Sequence, residues 1–298
     1  TCAGATFTVV VTVNPKPVIP NQTATICSGL AFTTTLVNAS PTTATIVPSG
    51  TTYTWTVALN ANVTGESDQA TAQSSISQTL TNTTNTVQTV VYTVTPTSGA
   101  QGSCPGATFT VTVTVNPTPY VSAQTAAACS GSGFTVSPVN ATTSNIVPTG
   151  TTYSWSIPTV TGGITGGAAG TSQSTIFGTL TNPTNTVQTA TYTVTPTSGA
   201  TGACVGATFT VIVTVNPKPV IPNQTATICS GTAFTTTPVN ASPTTATIVP
   251  SGTTYTWTVA LNANVTGESD QATAQTSITQ TLTNTTNTVQ TVVYTVTP

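Results

Sequence analysis

The sequence predicts an all-β chain of antiparallel β-sandwiches joined in a linear array. Three observations predict it. Threonine makes up about a quarter of the 298 residues, and with valine and the aromatics it favours strands, because branched side chains pack on a pleated surface. Apolar and polar residues alternate with a period of two wherever valine is dense. Landmarks recur at about the spacing of a whole sandwich domain.

The clearest landmark is CPGATFTVTVTVNPTP, from Cys104 to Pro119. It recurs as CAGATFTVVVTVNPKP from Cys2 and CVGATFTVIVTVNPKP from Cys204. The Cys-Ser-Gly tripeptides begin at Cys27, Cys129 and Cys229, and the Asn-Pro stops start at Asn14, Asn116 and Asn216. Every landmark repeats after 102 and then 100 residues. The expected organisation is therefore residues 1–15 as the last strand of a preceding or neighbouring-chain sandwich, then repeats at 16–117, 118–217 and 218–298, the third lacking its last strand. Between Lys16–Pro96 and Lys218–Pro298 only four positions differ: Leu30/Thr232, Leu36/Pro238, Ser74/Thr276 and Ser77/Thr279. The middle repeat diverges, so the order is A-B-A.

Within one repeat the elements follow from local pattern. Lys16–Asn21 is a proline-stiffened junction. Strands are expected near Gln22–Ile26 and Phe32–Val37, with a short edge strand at Ala44–Val47. Tyr53, Trp55 and Val57 alternate with Thr52, Thr54 and Thr56, which marks a central strand over Thr51–Ala58. Asn60–Gln73 reads as loop with a weak strand. Strands follow at Ile76–Leu80 and Val87–Val94, Pro96–Gly102 turns the chain, and Phe109, Val111, Val113 and Val115 line one face of the closing strand. Trp55, Trp155 and Trp257 fall on inward faces and read as core pins, not ligand platforms. Tyr92, Tyr192 and Tyr294 read as core or as a tyrosine corner. No segment has convincing helical periodicity.

Composition excludes several functions. There are two basic and four acidic residues and no histidine or methionine. With only Lys16 and Lys218 basic, nucleic acid and anionic membranes are poor partners. No apolar run approaches the roughly 20 residues that span a bilayer, so no membrane insertion is expected. The chain opens at Thr1 without a secretory signal and reads as a mature or internal segment. Without histidine no Ser-His-Asp or Cys-His set can form. Glu66 with Asp68, and Glu268 with Asp270, read as solvated loop charge and not as a cation site. Gly162, Gly163, Gly166 and Gly167 lack a P-loop lysine and read as a flexible loop. We expect no enzyme activity, no cofactor and no metal site. Nine Asn-x-Ser/Thr sequons, at Asn21, Asn38, Asn62, Asn82, Asn140, Asn223, Asn240, Asn264 and Asn284, offer glycan attachment.

The CSG-x-x-F opening, the Tyr-x-Trp strand, the TYTVTPTSGAxGxC hairpin and the FTVTVTVNPxP ending resemble the PKD-like/Ig-like tandem repeats of giant Bacteroidota cell-surface proteins, including gliding-motility adhesins exported by the type IX system. The resemblance covers the whole chain. It implies Ig-like/PKD-like sandwiches used as stalks, spacers or adhesive fibres, and no catalytic residues.

The cysteines Cys2, Cys27, Cys104, Cys129, Cys204 and Cys229 read as disulfide formers in an oxidising compartment. Two schemes stand. Their presence as a pair in every repeat favours Cys27–Cys104 within a domain. Standard Ig topology puts those two turns at opposite ends, roughly 30 Å apart along a nine-residue strand, while a disulfide needs Cα atoms within about 7 Å. That favours Cys27–Cys204 between domains, with Cys2 and Cys104 bonded upstream and Cys129 and Cys229 downstream.

The function expected is an extracellular or cell-surface structural protein forming a stiff fibre, filament or stalk. Its partners would be copies of itself, end to end and laterally, and glycans. The alternative is an adhesin binding glycan or another cell through loops such as Gly162–Gly170. Ice binding by the outward threonine rows is a remote third, since twisted sheets spoil lattice matching. Residues 1–15 are expected to complete a sandwich outside this stretch, Phe7, Val9, Val11 and Val13 filling the groove of a unit like Lys218–Pro298.

Overall fold

The computed structural model describes residues 1–141 and 145–298; the threonine of the Asn140 sequon lies outside them. Among the described residues there is no helix. The first unit contains β1 (Gln22–Cys27), β2 (Leu30–Thr34), β3 (Thr52–Ala58), β4 (Val63–Thr64), β5 (Gln69–Gln73), β6 (Ile76–Asn82), β7 (Gln88–Thr97) and β8 (Phe109–Asn116). They form two layers, ordered β1-β8-β7-β3-β5 and β2-β6-β4. The expected edge strand at Ala44–Val47 shrinks to a single bridge between Ile46 and Val18. The stretch Asn60–Gln73, expected as loop with one weak strand, holds two short strands, β4 and β5, Gln69 and Gln73 pairing with the strong central strand at Trp55 and Tyr53.

The alternating pattern packs as it reads. Tyr53, Trp55, Val90, Tyr92, Val94 and Val111 enter one buried cluster with Phe32, Ile76 and Leu80 from the opposite layer. Phe32 and Tyr92 stack at 5.3 Å between ring centroids, tilted by 43°. Fully burying one such side chain stabilises by about 1.5–3 kcal/mol. Trp55 Nε1 donates to the Ser67 carbonyl at 3.1 Å, so the indole is buried without an orphan donor. Tyr92 Oη donates to Gln78 Oε1 at 2.8 Å, which makes it a core tyrosine anchored across the layers and not a tyrosine corner.

One pairing departs from a purely antiparallel expectation. β1 runs parallel to β8, Gln22 opposite Val111 and Cys27 opposite Asn116. The first strand therefore ends where the last strand ends.

The second unit repeats this plan with β9 (Tyr120–Val121), β10 (Gln124–Cys129), β11 (Gly133–Val136), β12 (Asn145–Ile146), β13 (Thr152–Trp155), β14 (Thr159–Val160), β15 (Gly170–Gln173), β16 (Ile176–Thr179), β17 (Gln188–Thr197) and β18 (Phe209–Asn216). Its large sheet is ordered β10-β18-β17-β13-β15, with β14 on β17. β10 again lies parallel to β18, Cys129 opposite Asn216. Gly170 is required here, because a Cβ would come within 2.3 Å of the Trp155 ring.

The third unit has β19 (Thr232–Thr236), β20 (Tyr255–Ala260), β21 (Val265–Thr266), β22 (Gln271–Gln275), β23 (Ile278–Asn284) and β24 (Val293–Thr297). Its sheets are β22-β20-β24 and β19-β23-β21. Among the described residues no strand takes the position of β8 or β18 in this unit, and residues 224–229, the counterpart of β1, form no strand.

Candidate functional site at the junction between units

The junction is built where β1, β8 and the next hairpin meet. The parallel register delivers Cys27 to the exit end of β8, and Ser28 N–H continues the ladder to the Asn116 carbonyl at 2.8 Å. The chain then passes through Pro117, Thr118 and Pro119, of which both prolines are buried. Thr118 Oγ1 donates to the Ser28 carbonyl at 3.1 Å. The hairpin after β17 folds back to meet this point. Ser198 N–H donates to the Cys204 carbonyl at 2.8 Å and Gly206 N–H to the Pro196 carbonyl at 2.9 Å.

At that contact Cys27 and Cys204 are bonded, with Cα atoms 5.6 Å apart and 177 residues between them in sequence. Cys27–Cys104, the within-domain alternative, does not form. Cys104 precedes β8 and Cys27 sits beside its end, so eight residues of extended chain, roughly 25 Å, separate them. Cys204 is 2% exposed. Cys104 is half-buried and unbonded, and Cys2, Cys129 and Cys229 are exposed thiols.

Close backbone approach surrounds the bond. A Cβ on Gly202 would lie 2.9 Å from Asn116 Nδ2, and one on Gly206 would lie 2.1 Å from the Pro119 carbonyl oxygen. Gly202 also has φ of +98°, which L side chains rarely adopt. Asn116 is 1% exposed, and neither polar atom of its side chain finds a hydrogen-bond partner. The upstream end of the first unit repeats the pattern. A Cβ on Gly102 would lie 3.1 Å from Asn14 Nδ2, and one on Gly106 would lie 2.6 Å from the Pro17 carbonyl oxygen. Residues 14–17 thus seat against the hairpin holding Cys104 as residues 116–119 seat against that holding Cys204. The expected semi-rigid linker is in fact packed, with Pro17 and Ile19 buried.

Sequence reasoning missed a polar clamp beside this junction. Asn82, 2% exposed, donates through Nδ2 to the carbonyls of Thr86 at 2.7 Å and Val115 at 3.1 Å. Its Oδ1 accepts from Thr84 N–H and Thr84 Oγ1. Its own N–H donates to Ser28 Oγ at 2.9 Å. Asn182 with Ser130 repeats the clamp. The signal was the pattern Asn-x-Thr-x-Thr-x-Gln at Asn82, Asn182 and Asn284, which reads at first as a polar turn.

The remaining candidates do not converge. Trp55, Trp155, Trp257, Tyr92 and Tyr192 are buried, while Tyr294 is only partly buried, at the open edge of the third unit. Glu66 is not a freely solvated loop charge: Oε1 accepts from Asn60 N–H and Oε2 is buried without a partner. Burial, then the nearby Glu66 carboxylate, pushes the Tyr92 phenol well above its ordinary value. Asp68 stays exposed and accepts from Val57 N–H at 2.8 Å. Among the described residues no group of three or more His, Cys, Asp or Glu could hold a metal. Among the described residues no helix is long and apolar enough to cross a membrane. Residues 1–15 form no strand, and in the single chain Phe7, Val9, Val11 and Val13 fill no groove, with Phe7 87% exposed.

Two-layer sandwiches in tandem, the first two bonded across their junction, define an all-β repeat protein. The chain belongs to the PKD-like domain family, which matches residues 23–119, 126–219 and 226–298. No curated protein sequence matches. Among solved structures it is similar to the FN1–FN3 domains of chicken CNTN1, at 8% identity over 83% of this chain and 77% of that one, with a TM-score of 0.28. Mouse cadherin-23 EC22–24 gives 12% identity over 89% and 86%, with a TM-score of 0.28. Sidekick-1 immunoglobulin domains 1–5 give 10% identity over 72% and 43%, with a TM-score of 0.25. The chain thus spans less than half of the Sidekick-1 structure.

Proposed function

We propose that this protein is a non-enzymatic, extracellular structural repeat protein whose sandwiches form a stiff fibre or stalk at a bacterial cell surface. The observation that carries this reading is the Cys27–Cys204 bond between two successive units. A flexible string of binding modules needs no such crosslink. With the buried prolines of the junction, the bond gives the first unit two covalent connections to the second. Disulfides persist in oxidising surroundings, which favours an extracellular setting. The near-absence of charge leaves little repulsion against lateral packing of neighbouring fibres. The repeat motifs point to a Bacteroidota surface and type IX export. Small-angle scattering and negative-stain microscopy of the purified chain test the reading, with and without reductant. An extended rod that becomes flexible on reduction is expected. Flexible beads whose spacing ignores reductant would overturn it.

A further inference from the structure

The middle unit departs from its neighbours at one place, and several residues change there together. In the first unit Gln78 lies on β6. Its Oε1 accepts from Tyr92 Oη at 2.8 Å, and its Nε2 donates to the Ser67 carbonyl at 2.8 Å. Gln280 does the same in the third unit, accepting from Tyr294 Oη at 2.7 Å and donating to the Ser269 carbonyl at 2.6 Å. Beside them Ser77 Oγ donates to the Phe32 carbonyl, and Thr279 Oγ1 to that of Phe234. In the middle unit Gly178 stands at the place of Gln78, and Phe177 at that of Ser77. The loop opposite changes too: Glu66-Ser67-Asp68 becomes Gly167-Ala168-Ala169. Polar side chains give way to hydrogen or methyl, and one aromatic ring is added.

Two consequences are visible. Phe177 is 50% exposed, and its ring meets the Trp155 indole edge-on at 6.1 Å between centroids. Trp155 is itself held by its Nε1 bond to the Ala168 carbonyl at 3.0 Å, so the exposed ring has a fixed support. On the other side of Trp155, at 6.5 Å, stands Tyr192. Tyr192 is completely buried, and its hydroxyl has no hydrogen-bond partner. A Cβ on Gly178 would lie 3.4 Å from that hydroxyl. The phenol is therefore aimed at the side-chain position that Gln78 fills in the first unit. A buried hydroxyl without a partner destabilises a fold, and an exposed phenyl ring adds little to one. Neither serves the sandwich.

We propose that the middle unit binds a neutral polysaccharide at this place. Phe177 stacks on a pyranose ring. A hydroxyl of the sugar enters beside Gly178 and accepts the Tyr192 bond that Gln78 accepts from Tyr92 in the first unit. The Phe134 ring, 3.1 Å from the position of a Gly178 Cβ, yields to admit it. The choice of ligand follows from charge and from the two groups on offer. Residues 118–217 contain no Asp, Glu, Lys or Arg, so this unit has no ionised side chain to attract an ionic partner. A pyranose has an apolar C–H face for the ring, and hydroxyls that both donate and accept, as a phenol does. Thr135, directly opposite Phe177 on β11, adds an exposed hydroxyl. In the first and third units the glutamine occupies the position itself, so those units do not bind. This proposal is independent of the fibre reading.

The test is affinity electrophoresis of the purified 298-residue chain in native gels containing laminarin, dextran or galactomannan. At least one of these neutral polysaccharides should retard the chain, and carboxymethyl-dextran should do no better than dextran. Phe177→Ser, which installs the residue of the first unit, should still fold by circular dichroism and weaken binding about tenfold. Gly178→Gln is the sharper variant. Its amide should reach Tyr192, so the chain should melt higher than the parent and lose binding at the same time. A role confined to packing would not link those two readouts. No retardation by any of the three polysaccharides, stronger retardation by the charged dextran, or binding that survives both substitutions would overturn the proposal. Concentration-dependent dimers that disappear in Phe177→Ser would also overturn it, by assigning the ring to a second copy of the chain.

Discussion

Replacing Cys27 and Cys204 together with serine removes the staple without leaving an odd thiol. The bond closes a loop spanning 177 residues. Loop-closure entropy for that length corresponds to about 5 kcal/mol at 25 °C, regained by the unfolded state when the crosslink is cut. For a cooperative pair of sandwiches of about 200 residues, each kcal/mol moves the midpoint by about 2–4 °C. The double variant should therefore melt about 10–20 °C lower. The native state keeps its junction contacts, since Pro117, Pro119 and the Gly206 approach do not involve sulfur. Circular dichroism melts of the variant and of the parent chain, with and without reductant, read the effect. The reduced parent should match the variant. A drop smaller than about 3 °C, or a reductant effect that persists in the variant, would show that the bond does not hold the two units together.

Other perturbations probe other layers. Asn82→Ala removes a buried side chain that donates to two carbonyls and accepts twice, so denaturant unfolding should show a loss of about 2–4 kcal/mol in the first unit; an unchanged midpoint would deny the clamp. Because Asn82 is buried, its sequon should stay unmodified in a glycosylating host while exposed Asn62 is open to modification, as glycopeptide mapping would show. Trp55→Ala should cost about 3–5 kcal/mol from cavity formation and the lost bond to Ser67, measured by the same unfolding assay. Tyr92 titrates higher in the folded state than in the unfolded state, by burial first and Glu66 second. The neutral phenol is thus the form the fold favours: that stabilisation is complete below pH 10 and is lost progressively above it. Alkaline melts followed by tyrosinate absorbance should show this, and Tyr92→Phe should flatten the dependence.

The sandwiches were legible because their code is local. Tyr53, Trp55 and Val57 alternate with threonine, and a period of two on a half-buried surface admits only a strand with one face inward. Of the short strands β4 and β5 only one weak strand was legible and its bounds were not, because Gln69–Gln73 has no apolar stripe and is a strand only through the partner beside it. The clamp at Asn82 looked like surface turn for the same reason: its partners, Ser28 and Val115, lie far away in sequence.

The spacing of cysteines and Asn-Pro stops by itself determined the number and order of the repeats, and the lack of histidine ruled out histidine-based catalysis. Which cysteines bond was decided only in three dimensions. The choice turned on the parallel pairing of β1 with β8, which carries Cys27 away from Cys104 and onto the hairpin of the next unit. Strand direction is a relation between distant segments, set by how layers cover one another, and no alternation within a strand encodes it. The same holds for burial. Lys16–Pro96 and Lys218–Pro298 have almost the same sequence, yet one closes its core and the other does not.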